Sequence, residues 1–173
     1  MKHLIQNFWN RQDGTAAMEA VMLFPILITL LMGVYDLGNG IILSQKTITA
    51  TQIAADLLAR DQSVNNSELE NSIEAARLAF EPYRLNEFGI DIVSIRFDQN
   101  RMPQILWRET RDMPANNEAV TNTNGIGDNG EGMVIVTVRY TYQPYFVKFF
   151  TSAIDMQEVA YSRGRRSPTV TRE

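Results

Sequence analysis

Cysteine is absent from the 173 residues, and histidine occurs once, as His3. These gaps exclude disulfides, thiol nucleophiles, Cys-ligated metals, His-based triads and multi-His metal centres. Without cysteine, the redox compartment stays open. Positive charge is also scarce: the net charge is -4, and no broad basic face gathers phosphates. Nucleic acid is therefore not an expected partner. No internal repeat is visible. The length suits one modest domain plus an anchor.

What is present is one long uncharged run, Ala20 to Tyr35, preceded by Gly14-Thr15-Ala16-Ala17-Met18-Glu19. The run alone is short of the ~20 apolar residues that a membrane helix needs. Counted from Thr15, a helix reaches about 31 Å, which matches a hydrocarbon core of ~30 Å. Glu19 then enters the membrane, at a cost of roughly 2.5–3.5 kcal/mol on insertion scales. Two readings stand. In one, a cation neutralises Glu19. A cut after Gly14 would supply one, the new α-amine of Thr15, one helical turn away in the same chain or at an axial stagger in a neighbouring copy. In the other, Glu19 sits at the headgroup boundary while 20–37 spans a thinned bilayer.

Lys2 and Arg11, opposed by Asp13, favour a cytoplasmic N-terminus. The residues after the run, Asp36-Leu37-Gly38-Asn39-Gly40, make a poor signal-peptidase site, so a retained anchor is expected. Pro25 lies inside the run and predicts a kink, which membrane helices tolerate. Gly33, Gly38 and Gly40 either permit close helix packing or loosen the helix at the membrane exit.

Beyond the run, Ile41, Ser44, Ile48, Thr51, Ala55 and Leu58 recur at helical spacing. One helix from Thr15 to about Arg60 is predicted, leaving the membrane near Asp36 and broken by Asp61–Asn66. Ser67 with Glu70 reads as a capping box for a second helix, whose buried face is Leu69, Ile73, Ala76 and Phe80. Pro82 and Gly89 bracket its end. Strands are predicted over 90–97, 105–107, 133–142 and about 154–161, with a turn at Asp98–Arg101 and Pro103 limiting the second strand. The polar stretch 109–132 predicts a long loop, functional or disordered. The end, with Arg163, Arg165 and Arg166, predicts a frayed basic tail. Together these give an α+β class: a long N-terminal membrane-spanning helix, a short helix and a small antiparallel sheet.

Several constellations could carry chemistry, each beside a blander reading. Residues 122–132 offer oxygens for Ca2+ but lack the EF-hand order, and no Lys-Ser/Thr follows its glycines as a phosphate cradle requires. Glu68, Glu70 and Glu74 resemble a carboxylate site but fit an ordinary helix surface. The arginine tail could meet anionic lipid or a partner. Tyr142, Tyr145, Phe146, Phe149 and Phe150 form either a docking patch or packing between sheet and helix. No metal or cofactor is expected.

Gly14 followed by Thr-Ala-Ala-Met, Glu19 and an apolar helix resembles the type IV prepilin processing signal. More closely, Gly14-x-Ala16-Ala17-x-Glu19 with Pro25 and Gly33-Val-Tyr-Asp36-Leu-Gly38 resembles the TadE-like family of the tight-adherence (Flp) pilus machinery. The strand Val134–Pro144 and the Arg-rich ending are similar to that family's C-terminal half. Two departures narrow the match. Ala20 stands where the major Flp pilins carry Tyr, and the chain is too large for that pilin. It is also too small for members with a von Willebrand-type domain.

The resemblance implies a pseudopilin-like fold and a minor pseudopilin of the TadE or TadF kind, without catalytic activity. It implies cleavage by a prepilin peptidase between Gly14 and Thr15, subunit alignment by Glu19, and a bacterial inner-membrane protein with a periplasmic C-terminal domain. Its partners would be the peptidase, other pseudopilins, pilus-assembly membrane proteins and lipid, with no small-molecule substrate. The chain then divides into a leader (1–14), a transmembrane and extended helix (15–60), an extracytoplasmic α+β domain (61–162) and a basic tail (163–173). The alternatives are an unprocessed single-pass adaptor with an extracytoplasmic binding domain, a type II secretion pseudopilin, and an anchored enzyme. The last lacks a recognisable nucleophile setting.

Overall fold

Helix α1 runs without a break from Asp13 to Leu58 and carries everything else on its second half. The structure, a computed structural model, describes residues 13–83, 87–146 and 152–173. Lys2, His3, Arg11, Phe149 and Phe150 lie outside the described residues.

The two halves of α1 have different surroundings because they have different sequences. Up to Leu37, large apolar side chains such as Val21, Phe24, Leu27, Leu30 and Leu31 stand exposed around the whole axis. A helix that is apolar all round belongs in a protein core or a membrane, and no described residue covers this one. From Asp36 onward one stripe is buried: Leu43, Thr47, Ala50, Thr51, Ala54, Ala55 and Leu58. The expected stripe is therefore corrected in its first part. Thr51, Ala55 and Leu58 are buried, Ser44 and Ile48 only half-buried, and Ile41 exposed. In a helix rich in small residues, spacings of three and four fit two adjacent faces. The face carrying Ala50 and Ala54 lets the sheet approach closest. Thr47 and Thr51 satisfy their buried hydroxyls on the carbonyls of Leu43 and Thr47, at 2.9 and 2.6 Å.

After the break come β1 (Ser63–Val64) and α2 (Asn66–Leu78). The capping box is present two residues earlier than expected. Asn65 accepts the N–H of Glu68 at 2.9 Å, and Glu68 Oε2 accepts the N–H of Asn65. Asn65 wins over Ser67 because asparagine caps at least as well as serine and starts the helix a half-turn earlier. Leu69, Ile73, Ala76 and Phe80 are buried as read. At the other end Lys46 of α1 donates to the carbonyls of Ala79 and Glu81, at 2.8 and 2.9 Å. A cation there satisfies terminal carbonyls and suits the helix dipole.

The sheet is antiparallel, in the order β3 (Pro103–Arg111), β2 (Phe88–Phe97), β4 (Gly132–Tyr142), β5 (Ile154–Ser162). Its alternation sorts side chains into two cores. Phe88, Ile90, Ile92, Val134, Val136, Val138, Tyr140 and Tyr142 face α1 and α2. Val93, Ile95, Phe97, Met133 and Ile135 face the opposite way. Val93 and Ile95 are thus both inward, but toward the second core.

That second core corrects the reading of 109–132 as a long loop. Strand β3 continues to Arg111, and α3 (Asn117–Thr121) presses Ala119 and Val120 onto the sheet. The lid is held by a polar cluster at its root. Asp91, 1% exposed, accepts Arg108 Nε at 2.8 Å, Arg108 Nη2 at 2.5 Å and the N–H of Asn116 at 2.8 Å. Arg108 also donates to Asn117 Oδ1 at 2.7 Å. The turn beyond lies flat on Phe97, since a Cβ on Gly127 would fall 2.1 Å from that ring. The alternation of this segment was hidden because its buried apolar residues are few.

The tail corrects a second expectation: it is docked, not frayed. Val170 is buried, and its carbonyl accepts Ser94 Oγ at 2.6 Å and Trp107 Nε1 at 2.9 Å. The strand β6 (Thr171–Arg172) pairs parallel to β1. The arginines read as free each have an acidic partner: Arg163 meets Glu131, Arg165 meets Asp56, and Arg166 meets Asp61. Apolar content alone gave no sign of this, because the anchoring uses one buried valine, its carbonyl accepting two side-chain donors, and backbone pairing with β1.

Candidate functional site

The predicted site residues all fall on the bare half of α1. Gly14 is in its first turn, and Thr15 and Glu19 are exposed one turn apart on one face. Pro25 is inside the helix. Its ring nitrogen has no proton for the carbonyl of Val21, which is thereby released. Four residues on, Thr29 Oγ1 donates to the Pro25 carbonyl at 2.8 Å, a contact that tends to bend helices. Of the glycines, Gly33 and Gly38 have open space where a Cβ would stand, while a Cβ on Gly40 would lie 3.7 Å from the ring of Tyr142. Glu19 stands about 25 Å along the axis from Asp36. The folded domain's cations are out of its reach.

Where the apolar run ends, the structure forms a junction that the sequence shows only as an acid after a tyrosine. Asp36 is 2% exposed, although its neighbour Leu37 is 69% exposed. Its carboxylate accepts the N–H of Tyr145 at 3.0 Å and of Phe146 at 2.8 Å. The Tyr142 hydroxyl donates to the Asp36 carbonyl at 3.2 Å and toward its Oδ1 at 3.4 Å. Burial, followed by the field of the Asp36 carboxylate, pushes the Tyr142 hydroxyl up to about 12. Tyr35 meets Phe146 edge to face at 5.6 Å. Tyr145 and Phe146 stay exposed. Aromatic rings gathered at the end of a span suit the membrane–water interface.

The aromatic cluster is therefore divided. Tyr142 packs between sheet and helix, and Tyr145 and Phe146 line the exit. Beside them lies an apolar groove of about 270 Å³, walled by Leu37, Gly40, Ile41, Ile154 and Met156. Further along, Asn39 accepts the Tyr83 hydroxyl at 3.2 Å. Together with Lys46, these contacts fix the domain to the helix at several points. The arrangement can transmit force or orientation from helix to domain.

The bland readings hold for the acids of α2: Glu68 caps the helix and Glu70 pairs with Arg111. Among the described residues, no group of acids or imidazoles is placed to hold a metal. Sequence reasoning missed the Asp91–Arg108 pair and the exit role of Asp36. The available signal for each was an acid inside or at the end of an apolar stretch.

In comparison with known proteins, the family model described as TadE-like protein matches residues 14–56. The match takes in Gly14, Thr15, Glu19, Pro25, Asp36 and Gly38, and it stops near the end of α1. No curated protein and no solved structure matched the chain.

Proposed function

From a TadE-like segment over residues 14–56, we propose that this protein is a minor pseudopilin that takes part in assembling a tight-adherence (Flp-type) pilus. TadE-like proteins are pilus-associated structural components, and the reading assigns this chain no catalysis. The supporting observation is the coincidence of three features in the matched segment. A glycine stands five residues before an acid, the acid opens a span of apolar helix, and among the described residues none covers the span.

In this reading α1 crosses the bacterial inner membrane once, with its N-terminus cytoplasmic and the sheet domain periplasmic. A prepilin peptidase cuts between Gly14 and Thr15. Cleavage creates the amine that Glu19 otherwise lacks, and pairing between copies sets the axial stagger. The junction at Asp36 then carries the helix's position outward to the domain, which meets other pseudopilins.

The test is the N-terminus of the membrane-extracted protein, read by sequencing and intact mass in cells with and without the peptidase. The expected result is Thr15 as the first residue only where the peptidase is active. Met1 retained in both strains overturns the processing claim.

A further inference from the structure

We propose that the sheet continues from one copy to the next, the β5 edge of one copy pairing with the β3 edge of its neighbour. The strand order leaves β5 and β3 as the two edges. Among the described residues, no further strand pairs with either of them. An edge strand presents a row of backbone donors and acceptors and is a template for another strand.

Strand direction chooses the neighbour. Strand β5 starts beside Asp36, since Ile154 and Met156 line the groove there, and ends near Ala59, whose carbonyl accepts the N–H of Arg165. It therefore runs away from the membrane end. Strand β3 runs back toward it, because Arg111 pairs with Ile90 near the Phe88 end of β2, which pairs with Tyr140. Copies standing side by side in one membrane then place β5 antiparallel to β3, with α1 on the same face and pointing the same way. A β5–β5 or β3–β3 antiparallel joint needs a two-fold axis through the sheet. That axis would send one α1 away from the bilayer. A β5–β3 joint is heterologous and leaves a free edge at each end, so it builds rows.

The edges complement each other in apolar content. Strand β5 carries Asp155 and Glu158, no cation and no proline. Strand β3 begins at Pro103 and presents Arg111, paired with Glu70 and Glu109, while its Arg108 is held by buried Asp91. Ile105 and Leu106 are exposed on β3, and Ile154 and Tyr161 on β5. The inference rests on α1 spanning a membrane and is independent of cleavage after Gly14.

The absence of cysteine makes the test direct. Full-length copies with two different tags are co-expressed, one carrying Gln157→Cys and the other carrying Gln104→Cys, Ile105→Cys or Thr110→Cys. Membranes are oxidised, and carbonate extraction confirms insertion of both copies. The expected result is a mixed-tag disulfide dimer for at least one β3 position, about tenfold above same-edge dimers and above an Asn71→Cys control on α2. Same-edge dimers in excess, or no mixed dimer above the control at all three positions, overturn the proposal. A second arm avoids disulfides. Gln157→Lys should weaken self-association in detergent at least fivefold by sedimentation while leaving the urea midpoint unchanged. A wild-type chain that stays monomeric throughout also overturns it. Failure of this pairing leaves the N-terminal sequencing result untouched, so the two readings fail separately.

Discussion

The Asp36 carboxylate accepts the N–H of Phe146 at 2.8 Å, joining positions 110 residues apart at the end of the apolar span. Replacing it by alanine leaves the backbone donors of Tyr145 and Phe146 without this acceptor, while the Tyr142 hydroxyl keeps the Asp36 main-chain carbonyl. Buried donors left unmade cost about 1–3 kcal/mol each. Asp36→Ala should therefore lower the domain's stability by roughly 2–4 kcal/mol, with faster hydrogen exchange at 143–146, while insertion of α1 persists. Unchanged exchange at those residues would show that the junction does not hold the chain there.

Tyr142 makes the alkaline limb of stability predictable. Its folded-state value, raised to about 12, lies above the ordinary tyrosine value of 10.0. A raised value means that the neutral form is the one the fold accommodates. This contribution is complete below pH ~10 and is lost as pH rises toward ~12. Urea midpoints measured from pH 8 to 12 should fall in that window. Tyr142→Phe should flatten the fall while costing about 1 kcal/mol at neutral pH for the lost hydrogen bond.

The Asp91–Arg108 pair has a buried acid and a largely covered cation, and the hydrogen bond to Asp91 raises Arg108 above its ordinary value. Removing one member strands the other. Arg108→Met should cost about 3–5 kcal/mol and release α3 from the sheet, read as protease cleavage within 112–131. The double change Asp91→Leu with Arg108→Met should recover a substantial part of the loss, because an apolar pair of similar volume carries no stranded charge. Equal losses in the single and double variants would exclude this account.

Docking of the tail has a fluorescence signature. The sequence has two tryptophans, Trp9 and Trp107, and Trp107 donates to the Val170 carbonyl at 2.9 Å. Truncation after Gly164 should expose its indole, shift emission to the red and lower stability by about 2–3 kcal/mol, from one buried valine and the two hydrogen bonds that its carbonyl accepts. Val170→Asp should do the same in the full-length chain. An unshifted Trp107 spectrum, measured with Trp9 replaced by Phe, would return the tail to the frayed state the composition suggested.

Glu19 separates anchoring from assembly. Glu19→Ala removes a carboxylate that costs roughly 2.5–3.5 kcal/mol to insert, so membrane association should hold or strengthen. Under the proposed function, piliation should nevertheless fall. Normal pili with this variant would refute the alignment role. Glu19→Gln tests whether charge, as opposed to hydrogen bonding, is required.

Much of this was legible along the chain. The span, the long helix, the second helix and four strands follow from local periodicity. Gly132–Tyr142 alternates regularly enough to be read as a strand, but its burial on both faces up to Val138 comes from the second core. The capping residue was misplaced because Asn65 and Ser67 are both competent caps and only neighbouring geometry selects between them. The face of α1 was misjudged at Ile41 because spacing gives a stripe but not the depth of the surface it meets. The lid at 109–132 and the docked tail escaped notice for a shared reason. Their anchors are polar or single, such as Asp91 to Arg108 and the Val170 carbonyl to Ser94 and Trp107, and such pairs leave no period in the sequence.

The sequence by itself determined that an apolar helix, long enough to cross a bilayer once Glu19 is counted in it, continues into an α+β domain. Apolar length and periodicity are local properties, and local physics suffices to read them. The tertiary structure alone decided that Asp36 is buried while Leu37 is bare. It also decided that two cores flank one sheet and that β5 and β3 are the open edges. Those facts depend on which distant residues meet, and a hydrogen bond spanning 110 positions leaves no mark on either of its ends.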